Sequence, residues 1–534
     1  MDKHMKFGSK LALFAMLAAT AFQPAAQAAD NHAGTGAKYV FYFIGDGMSA
    51  VQIYAATSYL TALDGRDPNN ADDMAGSHRK LVMDSFPVRG MQRTYAQNHL
   101  ITDSAAAGTA LACGSKTNSG VIGMDATKKI RFKSVAELAK EQGRKVAILS
   151  SVSLDHATPA SFYANSFSRD GYEEIAVQAA QSGFDFFGGG SWLKPAGAVY
   201  KELCPEVGAE SITPILSRYG YTTIDTNEGI RALKSAPRNK VVCSVPVLAH
   251  GAAMPYDIDR PEGQVTLAEM TEVAIDCLMS GEDTGFFMMV EGGKVDWACH
   301  ANDAIGMLGD VIDLDAAVAK AVEFYKQHPD ETLIVVTADH ETGGLTIGFA
   351  GRGYETSLEK LARQKMSFEG FTEKVADYKT RKHFPQPYDA AANNFDDEMK
   401  ALVREGFGID FDTLTPYRKN QLEDAYDRSM SGAALPDTDI PTGYDKGFGD
   451  KTEIAALDYL YYGNYDALTM EICHQMSRET GLGWTSYSHT AVPVPVMALG
   501  LGSEAFDGYY ENAEVAAKIA EAMHFGTKLP VIDR

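Results

Sequence analysis

Five short apolar runs, each followed by a turn-prone or helical stretch, constrain this chain more than any other feature. They are Tyr39 to Ile44, Lys145 to Ser150, Phe286 to Glu291, Thr332 to Thr337 and Val494 to Gly500. Each is strand length, and a strand with no polar alternation is buried on both faces. Helical patterns lie between or after them, notably Ser49 to Leu60, Ser134 to Gln142, Asp303 to Gln327 and Glu511 to His524. Strand, helix, strand in this rhythm predicts an α/β fold with a largely parallel central sheet sandwiched by helices. Ligands of such sheets bind beyond the carboxyl ends of the strands. Asp46, Glu291 and Asp339 all stand at or just past such ends.

The segment 349–480 breaks the rhythm. It is polar, rich in Tyr, Asp and Lys, and carries Pro385, Pro387, Pro416, Pro436 and Pro441. A structureless loop of that length is improbable, so an inserted subdomain is expected. The main α/β body is then 29–348 together with 481–534. The first 28 residues read as a removable signal peptide. Lys3, Lys6 and Lys10 precede the apolar run Leu11 to Phe22, and Ala26-Gln27-Ala28 makes an A-x-A cleavage site. That run is too short for a permanent anchor, and no later one reaches membrane length. The expectation is an exported protein, periplasmic or secreted, that does not sit in a membrane.

At 534 residues and 45% hydrophobic, the chain has ample material for a large core. A formal net charge of −23 argues against nucleic-acid binding. The six cysteines form no C-x-x-C pair, which disfavours a zinc finger or a thioredoxin-type centre. Cys204 and Cys243 lie in turn-rich sequence and are candidates for a disulfide, whereas Cys277 sits in an apolar helical pattern.

Chemistry concentrates in a few motifs. Thr102-Asp103-Ser104-Ala105 sets a hydroxyl beside a carboxylate at the expected start of a helix. Both residue types cap helices well, so a purely structural reading stands beside a nucleophilic one. A nucleophilic serine needs a base or a metal, and no G-x-S-x-G elbow surrounds Ser104, which favours a metal. Gly114-Ser115-Lys116-Thr117 lacks the spacing of a P-loop. Asp296 and His300, four residues apart, share one face of a helical turn, and Asp339-His340 ends an apolar run. Asp46, Glu291 and His489 complete the set of candidate ligands. Mixed carboxylate and imidazole ligands suit zinc, and all-oxygen sets suit magnesium.

These motifs, in this order, resemble the alkaline phosphatase family, as do Asp155-His156-Ala157-Thr158-Pro159-Ala160 and Met254-Pro255-Tyr256-Asp257-Ile258-Asp259-Arg260. The resemblance covers nearly all of the chain after the leader except 349–480. It implies an alkaline phosphatase-like fold whose insertion forms a crown over a homodimer interface. It further implies hydrolysis of small-molecule phosphate monoesters at alkaline pH through a phosphoserine at Ser104. One Zn2+ would be held by Asp296, His300 and His489, a second by Asp46, Asp339 and His340, and Mg2+ by Asp46, Thr158 and Glu291. Arg169 would grip the phosphate with its planar fork. His156 and Trp297, beside the substrate, stand where enterobacterial members carry aspartate and lysine, a pattern similar to marine bacterial and animal members. Phosphodiesterases, sulfatases and mutases of the same superfamily are the nearest alternatives, although no C-x-P-x-R or S-x-P-x-R motif surrounds Ser104. A non-catalytic exported phosphate or metal binder is a further alternative, and it would have no need of the serine.

Overall fold

The computed structural model describes residues 36–70, 72–73, 79–193, 200–208, 210–384, 388–390, 395–432 and 459–533. The expected leader, 1–28, lies outside them. Ten strands form the main sheet: β1 (Tyr39–Gly45), β2 (Val88–Arg93), β3 (Lys145–Ser150), β4 (Phe186–Gly189), β5 (Thr222–Ile224), β6 (Val241–Ser244), β7 (Phe286–Gly292), β8 (Thr332–Thr337), β9 (Val494–Gly500) and β10 (Gly508–Glu511). Their spatial order is β10-β2-β9-β8-β1-β7-β3-β4-β6-β5. β9 runs antiparallel to both of its neighbours, and the other pairings are parallel. The largely parallel sheet expected from the apolar runs is present. The direction of β9 is a refinement, since an apolar run carries no sign of its own polarity.

Every residue of β1 is buried. Its side chains alternate between two cores, one on each face of the sheet. Tyr39, Phe41 and Phe43 join the first and Val40, Tyr42 and Ile44 the second. A strand covered on both sides needs apolar residues at every position, which explains the unbroken run. At about 1.5–3 kcal/mol for each fully buried large side chain, β1 alone is a major contributor to stability. The helices that matter for the site are α1 (Ala50–Leu63), α2 (Ser104–Cys113), α3 (Lys294–His300) and α4 (Ala304–Tyr325).

Within 349–480, the described helices include α5 (Phe368–Lys382), Asp397–Phe407, Pro416–Ser431 and α6 (Ala467–Thr480). They enclose a third core that includes Phe371, Tyr378, Met399, Phe407, Leu422, Tyr426, Leu468 and Ile472. All six cysteines are buried and free. The suggested Cys204–Cys243 disulfide is therefore corrected. Cys243 points into the first core and Cys204 into the second, so the sheet separates them.

Candidate functional site

The parallel register brings the carboxyl ends of β3, β1, β7 and β8 into line, with Ser150 opposite Glu291 and Ile44 opposite Thr337. Asp46 follows β1, Glu291 closes β7, and Asp339 and His340 follow β8. Gly47, with φ +71, turns the chain sharply after Asp46, and its amide donates to Asp339 Oδ1 at 3.3 Å. Immediately beyond β7, α3 carries Asp296 and His300 on one face.

Ser104 is the first residue of α2 and is 1% exposed. Asp103 caps the helix, accepting from the Ala106 amide at 3.0 Å through Oδ1. Its other oxygen accepts from the Gly120 amide at 2.9 Å and from Arg169 Nη1 at 3.1 Å. Both readings of the motif therefore coexist, with the aspartate capping and the serine presented at the helix start, where unpaired amides and partial positive charge favour an anion. Gly108 lets α2 approach the Ala157–Ala160 turn, because a Cβ there would meet Ser161 Oγ at 2.7 Å. That approach brings Thr158 to the site, with its hydroxyl 3.5 Å from Asp339 Oδ2.

Ser104 Oγ lies 3.2 Å from His340 Nε2, which lies 3.2 Å from Asp339 Oδ2 and 3.4 Å from Asp46 Oδ1. The His340 and His489 rings stack with centroids 3.5 Å apart. His489 Nε2 is 3.5 Å from Asp296 Oδ1, and His300 Nε2 is 3.2 Å from Asp296 Oδ2. Three groups of candidate ligand atoms converge: Asp296, His340 and His489; Asp46, Asp339 and His340; and Asp46, His156 and Glu291. Asp46 belongs to two of them.

Two groups differ from the sets implied by resemblance. In the first, His340 stands where His300 was expected, although His300 touches Asp296; in the third, His156 joins Asp46 and Glu291. Arg169 Nη2 lies 3.2 Å from His156 Nε2, and the Trp297 ring meets His156 edge-on at 6.0 Å.

So many buried carboxylates in one place oppose one another's charge, which bound protons or a cation must relieve. Burial, reinforced by Asp339, Asp296 and Glu291, pushes the Asp46 carboxyl well above the usual range. Burial raises Glu291 to about 8, and burial together with Asp296 raises Asp339 to about 7. Burial acts on Asp296 in the same sense, but the surrounding histidines overcome it and hold that carboxyl well below its ordinary value. Burial and Arg169 lower His156 to about 3, leaving its ring neutral and free to act as a ligand. Both oxygens of Asp46, Glu291 Oε1 and His156 Nδ1 are buried with no hydrogen-bond partner among the described residues. Buried polar atoms without partners are rare, and a bound metal ion would satisfy these. The residues present fit metal ions.

Several supporting contacts had no signature in the sequence. The Ser150 hydroxyl donates to Glu291 Oε2, and the Thr342 hydroxyl donates to Asp296 Oδ1. His300 Nδ1 is paired with the Tyr487 carbonyl, and His489 Nδ1 lies 2.8 Å from that of Thr102. Fixing the far ring nitrogen orients the near one, as ligating imidazoles require. Thr342 stands three residues after Asp339, and that proximity was its one available cue.

The fold and this cluster define a class of α/β protein whose site gathers cation-binding side chains around one serine hydroxyl. Residues 37–185 and 212–525 match the family model described as alkaline phosphatase, and the chain belongs to that family. It is 29% identical to alkaline phosphatase 4 of Bacillus subtilis (strain 168) over 489 residues, covering 91% of this chain and 89% of that one. The alkaline phosphatase of Schizosaccharomyces pombe is 28% identical over 491 residues, covering 90% and 80%. Among solved structures, a cold-active alkaline phosphatase from a psychrophilic Shewanella sp. superposes with a TM-score of 0.68 at 26% identity, covering 91% of this chain and 99% of that one. The Thermus thermophilus enzyme shares the fold, with a TM-score of 0.69 at 24% identity and 93% of each chain covered.

Proposed function

We propose that this protein hydrolyses phosphate monoesters to an alcohol and inorganic phosphate at alkaline pH, with Ser104 as the nucleophile. The observation that carries the reading is the position of Ser104 Oγ. It sits at a helix start, 3.2 Å from His340 Nε2. That nitrogen lies 3.4 Å from the Asp46 carboxylate, both oxygens of which lack a hydrogen-bond partner among the described residues. In the first step the hydroxyl gives up its proton, Oγ bonds to phosphorus, and the ester P–O bond breaks to release the alcohol. In the second, water attacks phosphorus, the Oγ–P bond breaks, and the serine regains a proton. Arg169, anchored through Nη1 to Asp103, keeps its other edge toward His156 and is placed to bind phosphate oxygens. Burial works against the Arg169 charge, but the nearby Asp103 and Asp46 carboxylates more than restore it.

The donor chemistry favours two Zn2+ and one Mg2+. Asp296, His300, His340, His489, Asp46 and Asp339 would serve zinc, and Asp46, Thr158 and Glu291 would serve magnesium, with His156 adjoining. When bound, these ions lower the pKa of the nucleophile and neutralise charge on the entering and leaving oxygens. Among the described residues no helix is long and apolar enough to cross a membrane. Export to the periplasm or medium, homodimer formation and a crown-like role for 349–480 belong to the same reading. Monoester hydrolysis followed against pH, with and without a chelator, tests it. Activity should rise toward alkaline pH and vanish on metal removal; full activity after exhaustive chelation contradicts it.

A further inference from the structure

Glu369 lies outside every motif of the site, near the start of α5 in the 349–480 segment, yet it grips two elements that border the site. Its Oε1 accepts from the His250 amide at 2.7 Å. Its Oε2 lies 3.0 Å from Lys294 Nζ, and the Lys294 side chain is fully buried. Lys294 opens α3, two residues before Asp296, and its ammonium lies 3.6 Å from the Tyr256 ring centroid and 4.9 Å from that of Trp297. The turn that begins at His250 lies on the Trp297 indole, since a Cβ on Gly251 would approach Trp297 Cη2 to 2.9 Å. Trp297 in turn faces His156, which meets Arg169.

Glu369 itself is rigidly based. The Ser367 amide donates to Asp259 Oδ1 at 2.9 Å, and the Ser367 hydroxyl donates to Asp259 Oδ2. Asp303 accepts from the Phe368 amide at 2.8 Å and from Gln364 Nε2 at 2.8 Å. Two carboxylates of the α/β body thus lock the start of α5, and the next side chain reaches back to the site.

We propose that Glu369 is a positioning residue for the phosphate-binding wall. One oxygen fixes the turn that covers Trp297, the other fixes Lys294 beneath it, and together they hold Trp297 against His156 and Arg169. Charge-assisted hydrogen bonds are directional enough for this task, and a buried lysine without its partner would be strongly destabilising. The inference rests on the phosphatase reading, because it takes Arg169 and His156 to face the phosphate.

The test compares metal-loaded wild type with Glu369→Gln and with the pair Lys294→Met and Glu369→Leu. The pair removes both charges at similar volume, a change that buried ion pairs often tolerate without unfolding. Steady-state kinetics on a phosphate monoester, metal content, and calorimetric binding of inorganic phosphate are measured for each. Loss of a partner that orients a binding group should raise KM and the phosphate dissociation constant together by about tenfold, with kcat and metal content little changed. If either folded variant keeps both constants within about twofold of wild type and merely melts earlier, Glu369 is structural and the proposal fails. Phosphate binding needs no turnover. A wild type that binds phosphate without hydrolysing esters therefore contradicts the activity and leaves the positioning comparison decisive.

Discussion

Replacing Gly47 with alanine should damage the site out of proportion to its size. Gly47 joins the turns after β1, β7 and β8. A Cβ there would lie 2.9 Å from Asp296 Cα, 2.9 Å from Thr342 Oγ1 and 3.1 Å from Asp296 Cβ. Carbon atoms pack at about 3.5–4.0 Å, so the Asp296 backbone or Gly47 itself must yield by roughly 0.6–1 Å. The Thr342 hydroxyl that orients Asp296 Oδ1 is pushed at the same time. The left-handed φ costs an alanine about 1–2 kcal/mol, and overpacking adds about 1–3 kcal/mol. Misplacing reacting groups by about 1 Å costs on the order of 100-fold in rate, so kcat/KM should fall by about that factor. The control is Gly143→Ala, where φ is +79 and nothing lies within 4 Å of the new carbon. It carries the conformational cost alone, so thermal melting should register a loss and the monoesterase assay should not. If Gly47→Ala and Gly143→Ala retain similar kcat/KM, the close packing around Gly47 does not position Asp296 and the reasoning is wrong.

Other consequences follow from the same geometry. Metal affinity should depend on pH with a definite sign. Burial raises Glu291 to about 8, Asp339 to about 7 and Asp46 well above the usual carboxylate range, so the metal-free cluster retains protons near neutral pH that a metal must displace. Apparent affinity should therefore rise as pH is raised from about 6 to 8, with protons released on binding; pH-independent affinity in a calorimetric titration would contradict this. His156→Asp adds a carboxylate to the group formed with Asp46 and Glu291, so it should tighten magnesium binding and slow turnover through tighter product phosphate. Unchanged magnesium affinity in that variant would show that position 156 does not face the third group.

Much of the fold was legible because its central strands are buried on both faces. Tyr39–Gly45, Phe286–Gly292 and Thr332–Thr337 read as apolar runs for the same reason that they pair side by side. The outer strands escaped notice. Thr222–Ile224 is short and largely exposed, and Val88–Arg93 has a single buried residue, so neither carries an apolar run. Thr158 and the role of His489 came from the family resemblance, whereas most candidate ligands were legible because they end a strand or sit at helical spacing within a motif. Their grouping was not, since which imidazole meets which carboxylate depends on ring orientation set by carbonyls as remote as Thr102 and Tyr487. Glu369 was invisible for a related reason. Its partners, His250 and Lys294, are brought to it only by the packing of α5 on the α/β body.

The central claim is that Ser104 carries the phosphoryl group. The direct measurement is to react metal-loaded protein with a phosphate monoester labelled on phosphorus, quench rapidly in acid, and locate the label by peptide mass spectrometry. The label should appear on Ser104 of the wild type, and Ser104→Ala should lose both the label and several orders of magnitude in rate. A fully active wild type with no covalent phosphate, or with the label on any other residue, would contradict the account.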